Sequence, residues 1–578
     1  MHSVTSESYL SYQNLPDMFW QKAERMGQKP FLWRRTPSGW QGTNWADVAG
    51  QVRELAAALR ALGLNAGERV LLVSENRPEF LIADFAIMSA GLITVPAYTT
   101  NTVHDFAYLF ANSGARAAIV SNGGLAEKLL GGWRQNTPTA AQALPVIMME
   151  SVPNGMPAHH WAEALAIGRQ NPLDVAGIAR GIKRHDVACL IYTSGTGGQP
   201  KGVMQSHGAL LHNARGAHDL LSSFGLGDEV FLSFLPLSHA YEHSAGQMFP
   251  VSIGAQIYYV ESADKLAQYM ADVRPTIMTA VPRLYETLYG RISGGLKRQN
   301  RFKQFLFAEA LRLGRIAYEN PERMTPKRRL WNALLTMLVR RKAQARFGGR
   351  LKAMVSGGAP LNYEIGIFFQ ALGMNILQGY GQTETGPIVS CNSPQRNKIR
   401  TVGAPLTATE VHIANDGEIL VRGELTMLGY WQNPEATATA LRDGWVHTGD
   451  IGHIDGDGHI VITDRKKDII VLSGGDTLSP QKIEGYLQLE PEIAQACVFG
   501  DKQAYIVALI VAAEGYDHQA VELAVERANK KLSITERVRR FTTITHPFTI
   551  ENEMLTPSMK IRRHKIKAAF NERIEAMF

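Results

Sequence analysis

Short apolar segments rich in β-branched residues alternate with segments of helical spacing through most of the chain. Apolar runs at 69–73, 117–120 and 187–192 are four to six residues long, which is the length of buried strands. Between them lie stretches such as 45–62, where apolar residues recur every three or four positions. Parallel strands need crossover helices between them, so this alternation is typical of α/β folds. We therefore expect a large N-terminal domain, built of several subdomains, with mostly parallel sheets.

The pattern changes after about residue 402. Short strand-like runs at 411–413, 419–421 and 459–462 are now separated by turns of Gly, Asp and Asn rather than by helices. Such turns close antiparallel hairpins. The sequence therefore predicts a small barrel-like β subdomain at the end of the N-terminal domain.

A charged run at 464–468, Asp-Arg-Lys-Lys-Asp, follows this region. Beyond it, Ser479-Pro480 has the composition of a helix start, with Ser as the cap and Pro in the first turn. We predict an N-terminal domain over 1–466 and a smaller α+β C-terminal domain over 467–578.

Composition excludes several classes of protein. Of the 578 residues, 45% are hydrophobic and 20% are charged, the balance of a globular chain. Cys189, Cys391 and Cys497 lie far apart without zinc-ligand spacing, so a zinc site or disulfide framework is not expected. The N-terminus shows no export signal, and no apolar run approaches the roughly 20 residues that span a bilayer. We expect a cytoplasmic protein.

Basic residues concentrate in one segment, 297–352. It holds sixteen Lys and Arg residues against three Glu, a net charge of +13, whereas the whole chain carries +7. Apolar residues interleave at helical spacing, which predicts two amphipathic helices. Two readings stay open: peripheral contact with anionic lipid at the inner face of a membrane, or helices with a solvated basic face. No motif supports nucleic-acid binding.

One loop carries a strong chemical signal. Residues 192–202 read Tyr-Thr-Ser-Gly-Thr-Gly-Gly-Gln-Pro-Lys-Gly, after the apolar run 187–191 and before a helical pattern from about Ser206. Hydroxyl groups and glycine amides can donate to phosphate, and Lys201 adds a positive charge. The Gly-Lys-Ser/Thr ending of a Walker A loop is absent. An ordinary Gly/Ser-rich turn is the alternative.

This string resembles the phosphate loop of the adenylate-forming superfamily, and five further strings resemble that superfamily's motifs in the same order. They lie at 356–361, 379–384, 445–450, 464–468 and 555–560. Together the six motifs span 192–560. A further string at 235–242, Leu-Pro-Leu-Ser-His-Ala-Tyr-Glu, and those at 74–79 and 281–285 are similar to the long-chain fatty acyl-CoA synthetase group.

The resemblance implies a nucleotide site for ATP and Mg²⁺. It assigns the phosphates to the glycine-rich loop and the α-phosphate to Thr383. Tyr380 is implied near the adenine, Asp450 at the ribose hydroxyls with Arg465 close by, and Glu384 at the metal. The implied nucleotide-binding residues are Thr193, Ser194, Gly195, Thr196, Gly197, Lys201, Gly358, Ala359, Pro360, Gln378, Gly379, Tyr380, Gly381, Gln382, Thr383, Asp450 and Arg465, with Thr196 and Glu384 as metal ligands.

The resemblance also implies a mobile C-terminal domain. Lys560 is the implied catalytic lysine, acting with Thr383 and Glu384 in the first half-reaction. Lys467 is the implied hinge, and the loop Ser473-Gly474-Gly475 is implied to face the path of coenzyme A. His239, Tyr241 and Gly357 are expected to line the substrate pocket.

The activity implied is ATP-dependent conversion of a long-chain fatty acid to acyl-AMP and then to acyl-CoA. Two enzymatic alternatives stay open: a ligase for medium-chain or aromatic acids, and an acyl-AMP ligase that feeds a carrier protein. A nucleotide-dependent lipid-binding protein without catalysis is the alternative from another class. The oligomeric state is left open.

Overall fold

Two sheets of mainly parallel strands form the core of the N-terminal part. The structure is a computed structural model that describes residues 5–136, 143–193, 199–261, 265–556 and 560–578. One buried apolar cluster contains residues of both sheets and of the helix Pro78–Ser89, every residue of which is buried. This mostly apolar helix, with Glu79 and Asp84 as its two acidic residues, packs between the two sheets.

The first sheet is parallel except at one edge, where Lys201–Ser206 runs antiparallel to Val187–Thr193. Over the described residues its strand order is His159–His160, Val146–Met148, Ala117–Val120, Arg69–Val73, Ile93–Ala97, Val187–Thr193 and Lys201–Ser206. The predicted strands at 69–73, 117–120 and 187–192 are confirmed.

The second sheet has a parallel centre and antiparallel edges. Its order within the described chain is Gly39–Asn44, Pro30–Thr36, Gln256–Tyr259, Val230–Ser233, Ile277–Ala280, Ala353–Ser356, Ile376–Tyr380, Ser390–Cys391 and Ala404–Pro405.

Helices connect these strands, as the alternation in the sequence predicts. The helix predicted at 45–62 is observed as Trp45–Ala61, and the Asn44 side chain accepts a 2.7 Å hydrogen bond from the Asp47 amide at its start. The other N-terminal α-helices are Ser8–Ser11, Leu15–Met26, Pro78–Ser89, Val103–Ser113, Gly123–Asn136, Trp161–Gln170, Val175–Gly181, His207–Leu221, Phe249–Ile253, Leu266–Val273, Pro282–Lys297, Arg301–Glu319, Pro326–Leu335, Arg341–Ala345, Tyr363–Ala371 and Pro434–Ala440.

An antiparallel sheet of five strands follows the second parallel-rich sheet, as the sequence predicts for the small β subdomain. Its strands within the described residues are Glu410–Ile413, Glu418–Arg422, Leu441–Arg442, Trp445–Ile454 and Ile460–Arg465. The predicted α/β fold class is confirmed.

The C-terminal part mixes strands and helices around two apolar clusters of its own. Its helix Pro480–Leu487 begins at the predicted cap, where Ser479 accepts from the Lys482 amide at 3.2 Å. The other elements are the hairpin Ile470–Val471 and Thr477–Leu478, the sheet Ile493–Phe499, Ile506–Ala512 and Val538–Ile544, and the helices His518–Asn529 and Arg563–Glu575. The division at 466/467 stays a prediction.

The basic segment forms helices, as predicted. Arg301–Glu319 is one helix, and a second helical stretch runs through Pro326–Leu335, the π-helical turn Thr336–Arg340 and Arg341–Ala345. No helix in the described part of the chain combines the length and the apolar character needed to cross a membrane.

Candidate active site

Asp450 lies at the centre of a hydrogen-bonded group. It is in the strand Trp445–Ile454, directly opposite Arg465 in the neighbouring antiparallel strand. This register places Arg465 Nε 3.0 Å from Asp450 Oδ1, while the Tyr380 hydroxyl donates to Asp450 Oδ2 at 2.7 Å. Asp450 is 4% exposed. Burial, and then Asp450, raise the pKa of Tyr380 well above its ordinary value.

A tight turn follows Tyr380 at the carboxyl end of a parallel strand. A Cβ added to Gly381 would lie 1.8 Å from the Pro387 carbonyl oxygen, so only glycine fits there. Gln382 donates to the Thr448 carbonyl at 3.2 Å, which ties the turn to the strand that holds Asp450. The short 3₁₀ helix Thr383–Thr385 then places Thr383 and Glu384 beside this strand.

Glu384 belongs to a second group of contacts. The Tyr430 hydroxyl donates to Glu384 Oε1 at 2.8 Å, and the ring of Tyr430 lies 4.7 Å from the Lys201 ammonium. Gln205 donates to the Thr383 carbonyl. Sequence reasoning missed Tyr430 and Gln205. The aromatic pair Tyr430-Trp431 after Leu428-Gly429 was the available signal for Tyr430.

The glycine-rich loop connects two strands. Thr193 and Lys201 are opposite each other where the two antiparallel strands meet this loop. The helix predicted from about Ser206 begins at His207, and Ser206 is its cap. The strand Lys201–Ser206 between loop and helix was not predicted. Of the loop's predicted residues, Ser194, Gly195, Thr196 and Gly197 lie outside the described part of the chain.

The predicted adenine-side loop follows the strand Ala353–Ser356. Gly358 has φ +83°, a conformation that favours glycine, and Ala359 and Pro360 after it are exposed. The Gln378 side chain accepts from the Leu361 amide at 3.3 Å and donates to the Ile399 carbonyl. The side-chain hydrogen bonds of Gln378 therefore hold this loop in place. Gly379, next to it, pairs with Cys391 in the sheet.

His239, Tyr241 and Gly357 lie together. The Tyr241 hydroxyl donates to the Val355 carbonyl at 2.9 Å, and a Cβ on Gly357 would be 3.1 Å from the Tyr241 ring. The Tyr241 amide donates to His239 Nδ1 at 3.2 Å, which makes Nδ1 the acceptor. Burial, together with the charge of Lys560, lowers the pKa of His239 to about 4, so its ring is neutral near pH 7.

Glu242, the next residue after Tyr241, is a buried carboxyl group. It begins the π-helix Glu242–Met248 and accepts hydroxyl hydrogen bonds from Ser233 and Thr279, each at 2.5 Å. Burial raises its pKa to about 7, although both hydrogen bonds lower it.

Lys560 reaches this site from the C-terminal part of the chain. Leu555 and Ile561 pair as antiparallel neighbours, and Thr556 and Lys560 exchange hydrogen bonds at 2.9 and 3.0 Å. Lys560 retains exposed surface, yet burial lowers the pKa of its ammonium, Arg465 lowers it further, and Asp450 and Glu384 raise it. The charges of Arg465, Asp450 and Glu384 therefore all act on the Lys560 ammonium.

Lys467 lies within the charged run 464–468, and the loop 473–475 follows that run. Burial and Arg465 lower the pKa of Lys467. Gly475 has φ +88° in an exposed turn between two short strands, where its amide donates to the Leu472 carbonyl at 2.9 Å and the Ser473 amide donates to the Gln503 carbonyl. The predicted roles of Lys467, Ser473, Gly474 and Gly475 stay predictions.

Known protein families and relatives match this chain over nearly its whole length. The family described as AMP-binding enzyme matches residues 19–431, and the AMP-binding enzyme C-terminal domain matches 467–578. A long-chain-fatty-acid–CoA ligase, FadD15 of Mycobacterium bovis, is 33% identical over 568 residues, covering 93% of this chain and 92% of that protein.

Two further comparisons agree with these matches. Long chain acyl-CoA synthetase 6, peroxisomal, from Arabidopsis thaliana is 31% identical, covering 91% of this chain and 80% of that protein. The crystal structure of the anthranilate CoA ligase AuaEII in complex with anthranoyl-AMP superposes with a TM-score of 0.75 at 21% identity, covering 98% of this chain and 99% of that one. The structural likeness supports the fold alone.

Proposed function

This chain belongs to the AMP-binding enzyme family, and we propose that it activates a long-chain fatty acid with ATP and transfers the acyl group to coenzyme A. The resemblance to the adenylate-forming superfamily and its long-chain acyl-CoA synthetase group is confirmed by the family matches and the two relatives. One observation in the structure carries the proposal. Tyr380, Asp450 and Arg465, which lie in three different motifs, meet in one hydrogen-bonded group, and the charges of Asp450 and Glu384 act on the Lys560 ammonium.

Asp450 suits the ribose of ATP. Tyr380 and Arg465 each occupy one of its carboxylate oxygens, and each oxygen has a second lone pair. Two neighbouring ribose hydroxyls can therefore both donate to Asp450. The Tyr380 ring beside it would face the adenine, with the loop Gly358-Ala359-Pro360 on the other side.

The phosphates would lie between Thr383, Lys201 and the glycine-rich loop. Thr383 offers a hydroxyl donor to the α-phosphate, and the Thr193–Lys201 hairpin end offers amides and a cation. Glu384 fits Mg²⁺, a hard cation that prefers oxygen ligands, because Tyr430 occupies Oε1 and no described residue donates to Oε2. Thr196 is the second proposed ligand. When bound, Mg²⁺ would neutralise phosphate charge.

The first half-reaction joins the fatty acid to AMP. A carboxylate oxygen forms a bond to the α-phosphorus, and the bond from that phosphorus to the pyrophosphate oxygen breaks. Negative charge on carboxylate and phosphate must come together, so a fixed cation stabilises the transition state. Lys560 is that cation in our proposal. Neutral His239, Tyr241 and Gly357 would line the place where the carboxylate binds.

The second half-reaction makes the thioester. The sulfur of coenzyme A bonds to the acyl carbon, the bond from that carbon to the phosphate oxygen breaks, and AMP leaves. The thiol must approach the acyl carbon from the side that the Lys560 side chain occupies in the first half-reaction. We therefore propose that the C-terminal domain, 467–578, rotates about Lys467 and turns Ser473-Gly474-Gly475 towards the path of coenzyme A.

Pyrophosphate release with a panel of acids tests the function. Palmitate, octanoate and benzoate are supplied with ATP and Mg²⁺, with coenzyme A, with an acyl carrier protein, or with neither. We expect release to be fastest with palmitate and to yield palmitoyl-CoA. Preference for octanoate or benzoate, thioester formation on the carrier protein alone, or no release with any acid would each contradict the proposal and favour one of the three alternatives.

A further inference from the structure

A side-chain hydrogen bond crosses the predicted boundary between the two domains. The Ser479 hydroxyl donates to one carboxylate oxygen of Asp464, which is 3% exposed. The amide of Arg465 donates to the other oxygen at 2.6 Å. Asp464 lies before the proposed hinge at Lys467, in the strand Ile460–Arg465, whereas Ser479 follows the hinge. The contact between Asp464 and Ser479, which we call the clasp, therefore joins the two sides of the hinge.

The hydroxyl of Ser479 makes a second contact. It caps the helix Pro480–Leu487 by accepting from the Lys482 amide at 3.2 Å. A hydroxyl can donate one hydrogen bond and accept others, so the cap and the clasp are compatible. The start of a helix also carries partial positive charge, which favours a carboxylate beside it. The clasp therefore attaches the first turn of this helix to Asp464.

The same helix touches the N-terminal part of the chain at other points. A Cβ added to Gly485 would lie 3.8 Å from the Asn362 side-chain nitrogen, an ordinary van der Waals distance. Leu489, two residues beyond the end of the helix, packs against an apolar cluster that includes residues of the second sheet. The clasp is therefore one part of a larger contact that holds the helix against the N-terminal part.

The helix also holds the segment that carries Lys560. Glu484 is buried on the helix and accepts from Arg563 Nη1 at 2.6 Å. The same nitrogen donates to the Val498 carbonyl at 2.7 Å. Arg563 is three residues after Lys560 and begins the last helix of the chain. The position of Lys560 therefore depends on the position of the helix that Ser479 caps.

The carboxyl group of Asp464 depends on these partners. Burial raises its pKa, whereas the hydrogen bond from Ser479 and the charge of Arg563 lower it. A carboxylate with so little access to water is costly unless donors or cations face it. Moving Ser479 and Arg563 away from Asp464 therefore removes groups that stabilise its charge.

We propose that Asp464 and Ser479 are positioning residues that hold Lys560 in place for the first half-reaction; this inference rests on the proposed function. The clasp fixes the helix that Ser479 caps, and the buried ion pair on that helix fixes the segment of Lys560. Rotation about Lys467 would carry Ser479 away from Asp464, because the two residues lie on opposite sides of the hinge. The clasp therefore stabilises the arrangement for adenylation and is lost in the arrangement for thioester formation.

Substitutions at position 479 can break the clasp and keep the helix cap. Asp caps helices as well as Ser does, so S479D retains the cap but places a second carboxylate against Asp464. We expect adenylation, measured as palmitate-dependent exchange of labelled pyrophosphate into ATP, to fall on the order of tenfold, the scale of losing one hydrogen bond to a charged group. Thioester formation from preformed palmitoyl-AMP should not fall. S479G, which removes the donor at little cost to the cap, should show the same split more weakly.

A double variant tests whether the two residues act on each other. In S479D/D464N the new amide can donate to the new carboxylate, so the clasp forms again with its charge on the other side. We expect this variant to recover most of the adenylation that S479D loses. Q519D adds the same charge to the exposed first turn of the neighbouring helix and should change neither half-reaction. Equal losses in both half-reactions of S479D, or no recovery in the double variant, would overturn the proposal.

A distance measurement tests the clasp without any substrate. The three native cysteines are buried, so spin labels can be attached to K128C and E522C, at exposed positions in the N-terminal and C-terminal parts. The population at the label distance that the structure gives should fall in S479D and return in S479D/D464N. Equal distance distributions in all three proteins would overturn the proposal. Shifted distributions in a protein that activates no acid would support the clasp and contradict the proposed function.

Discussion

Asp450 shows how one side chain organises the proposed nucleotide site. Its carboxylate is almost fully buried. The ion pair with Arg465 and the hydrogen bond from Tyr380 compensate for the loss of water around it. The strand register that sets Asp450 opposite Arg465 makes this pairing a consequence of the hairpin. The same two oxygens are the proposed acceptors for the ribose.

Replacing Asp450 by Asn should weaken ATP binding. The substitution keeps the shape of the side chain but removes the negative charge that pairs with Arg465 and is proposed to accept from the ribose hydroxyls. Hydrogen bonds to a charged group contribute about 1.5–3 kcal/mol each. We expect the Kd for ATP to rise by about 10- to 100-fold in isothermal titration. D443N, in an exposed turn of the same subdomain, is the control. An unchanged Kd in D450N would remove Asp450 from the nucleotide site.

Lys560 should give adenylation an alkaline limit. Burial and Arg465 lower the pKa of its ammonium, so the cation is lost at a lower pH than in an exposed lysine. The kcat/KM for pyrophosphate release should therefore fall as pH rises through that lowered pKa. K560R, whose guanidinium stays charged, should be slower at neutral pH but show no alkaline fall. The same alkaline fall in K560R would assign it to another group.

Some residues of the site were not accessible from the sequence. Tyr430 contacts Glu384 and Lys201 only because three separate segments of chain meet. The local sequence pattern around each residue does not predict contacts between segments so far apart in the chain. Asp450, Arg465 and Tyr380 were predictable because each sits in a motif whose resemblance implies a role.

At the scale of elements, the π-helix Glu242–Met248 holds an unusual carboxyl group. Glu242 is fully buried, and burial raises its pKa from about 4.5 to about 7. Between pH 4.5 and pH 7, Glu242 holds a proton in the folded protein but has released it in the unfolded chain. The contribution of Glu242 to the free energy of unfolding is therefore greatest below pH 4.5. It falls as the pH rises to 7 and does not change further above pH 7.

The variant E242Q should remove this pH dependence. Its stability relative to the unaltered protein should increase by about 3 kcal/mol between pH 4.5 and pH 8, because a pKa shift of this size corresponds to that free energy. Urea unfolding at both pH values measures the difference. E286Q, a partly exposed glutamate, is the control. A difference that does not change with pH would show that Glu242 titrates normally.

The elements themselves were largely predictable. Apolar runs such as Arg69–Val73 and Ala117–Val120 are strands because burial on both faces leaves no room for polar residues. The strand Lys201–Ser206 was missed because its sequence, Lys-Gly-Val-Met-Gln-Ser, alternates weakly and directly follows the glycine-rich loop. Its place is set by pairing with Val187–Thr193 rather than by its own pattern.

At the scale of the whole molecule, the two proposed half-reactions require two arrangements of the C-terminal part. In the structure the charges of Asp450 and Glu384 act on the Lys560 ammonium, which suits the proposed first half-reaction. Transfer to coenzyme A requires Lys560 to leave. Composition and periodicity predict the elements of each domain, but not which arrangement is favoured, because that depends on contacts between segments far apart in the chain.

The substitution K467P should uncouple the half-reactions. Proline fixes φ near −65°, so it restricts rotation at the proposed hinge. We expect adenylation and thioester formation from preformed acyl-AMP to change by clearly different factors in stopped assays. K467A removes the lysine side chain but leaves the backbone free to rotate. It therefore separates the effect of restricting the hinge from the effect of losing the side-chain contacts of Lys467. Equal changes in both half-reactions of K467P would argue that residue 467 is no hinge.

Exchange of labelled pyrophosphate into ATP, measured without coenzyme A, tests whether the enzyme forms an acyl-adenylate. Exchange requires reversible formation of the acyl-adenylate, so we expect it to depend on both palmitate and Mg²⁺ and to need no thiol. It should fall by at least about 10²-fold in K560A, the scale of losing one charge stabiliser in a transition state, while K560A still converts preformed palmitoyl-AMP to palmitoyl-CoA. Exchange that requires coenzyme A, or that proceeds equally without a fatty acid, would contradict the account.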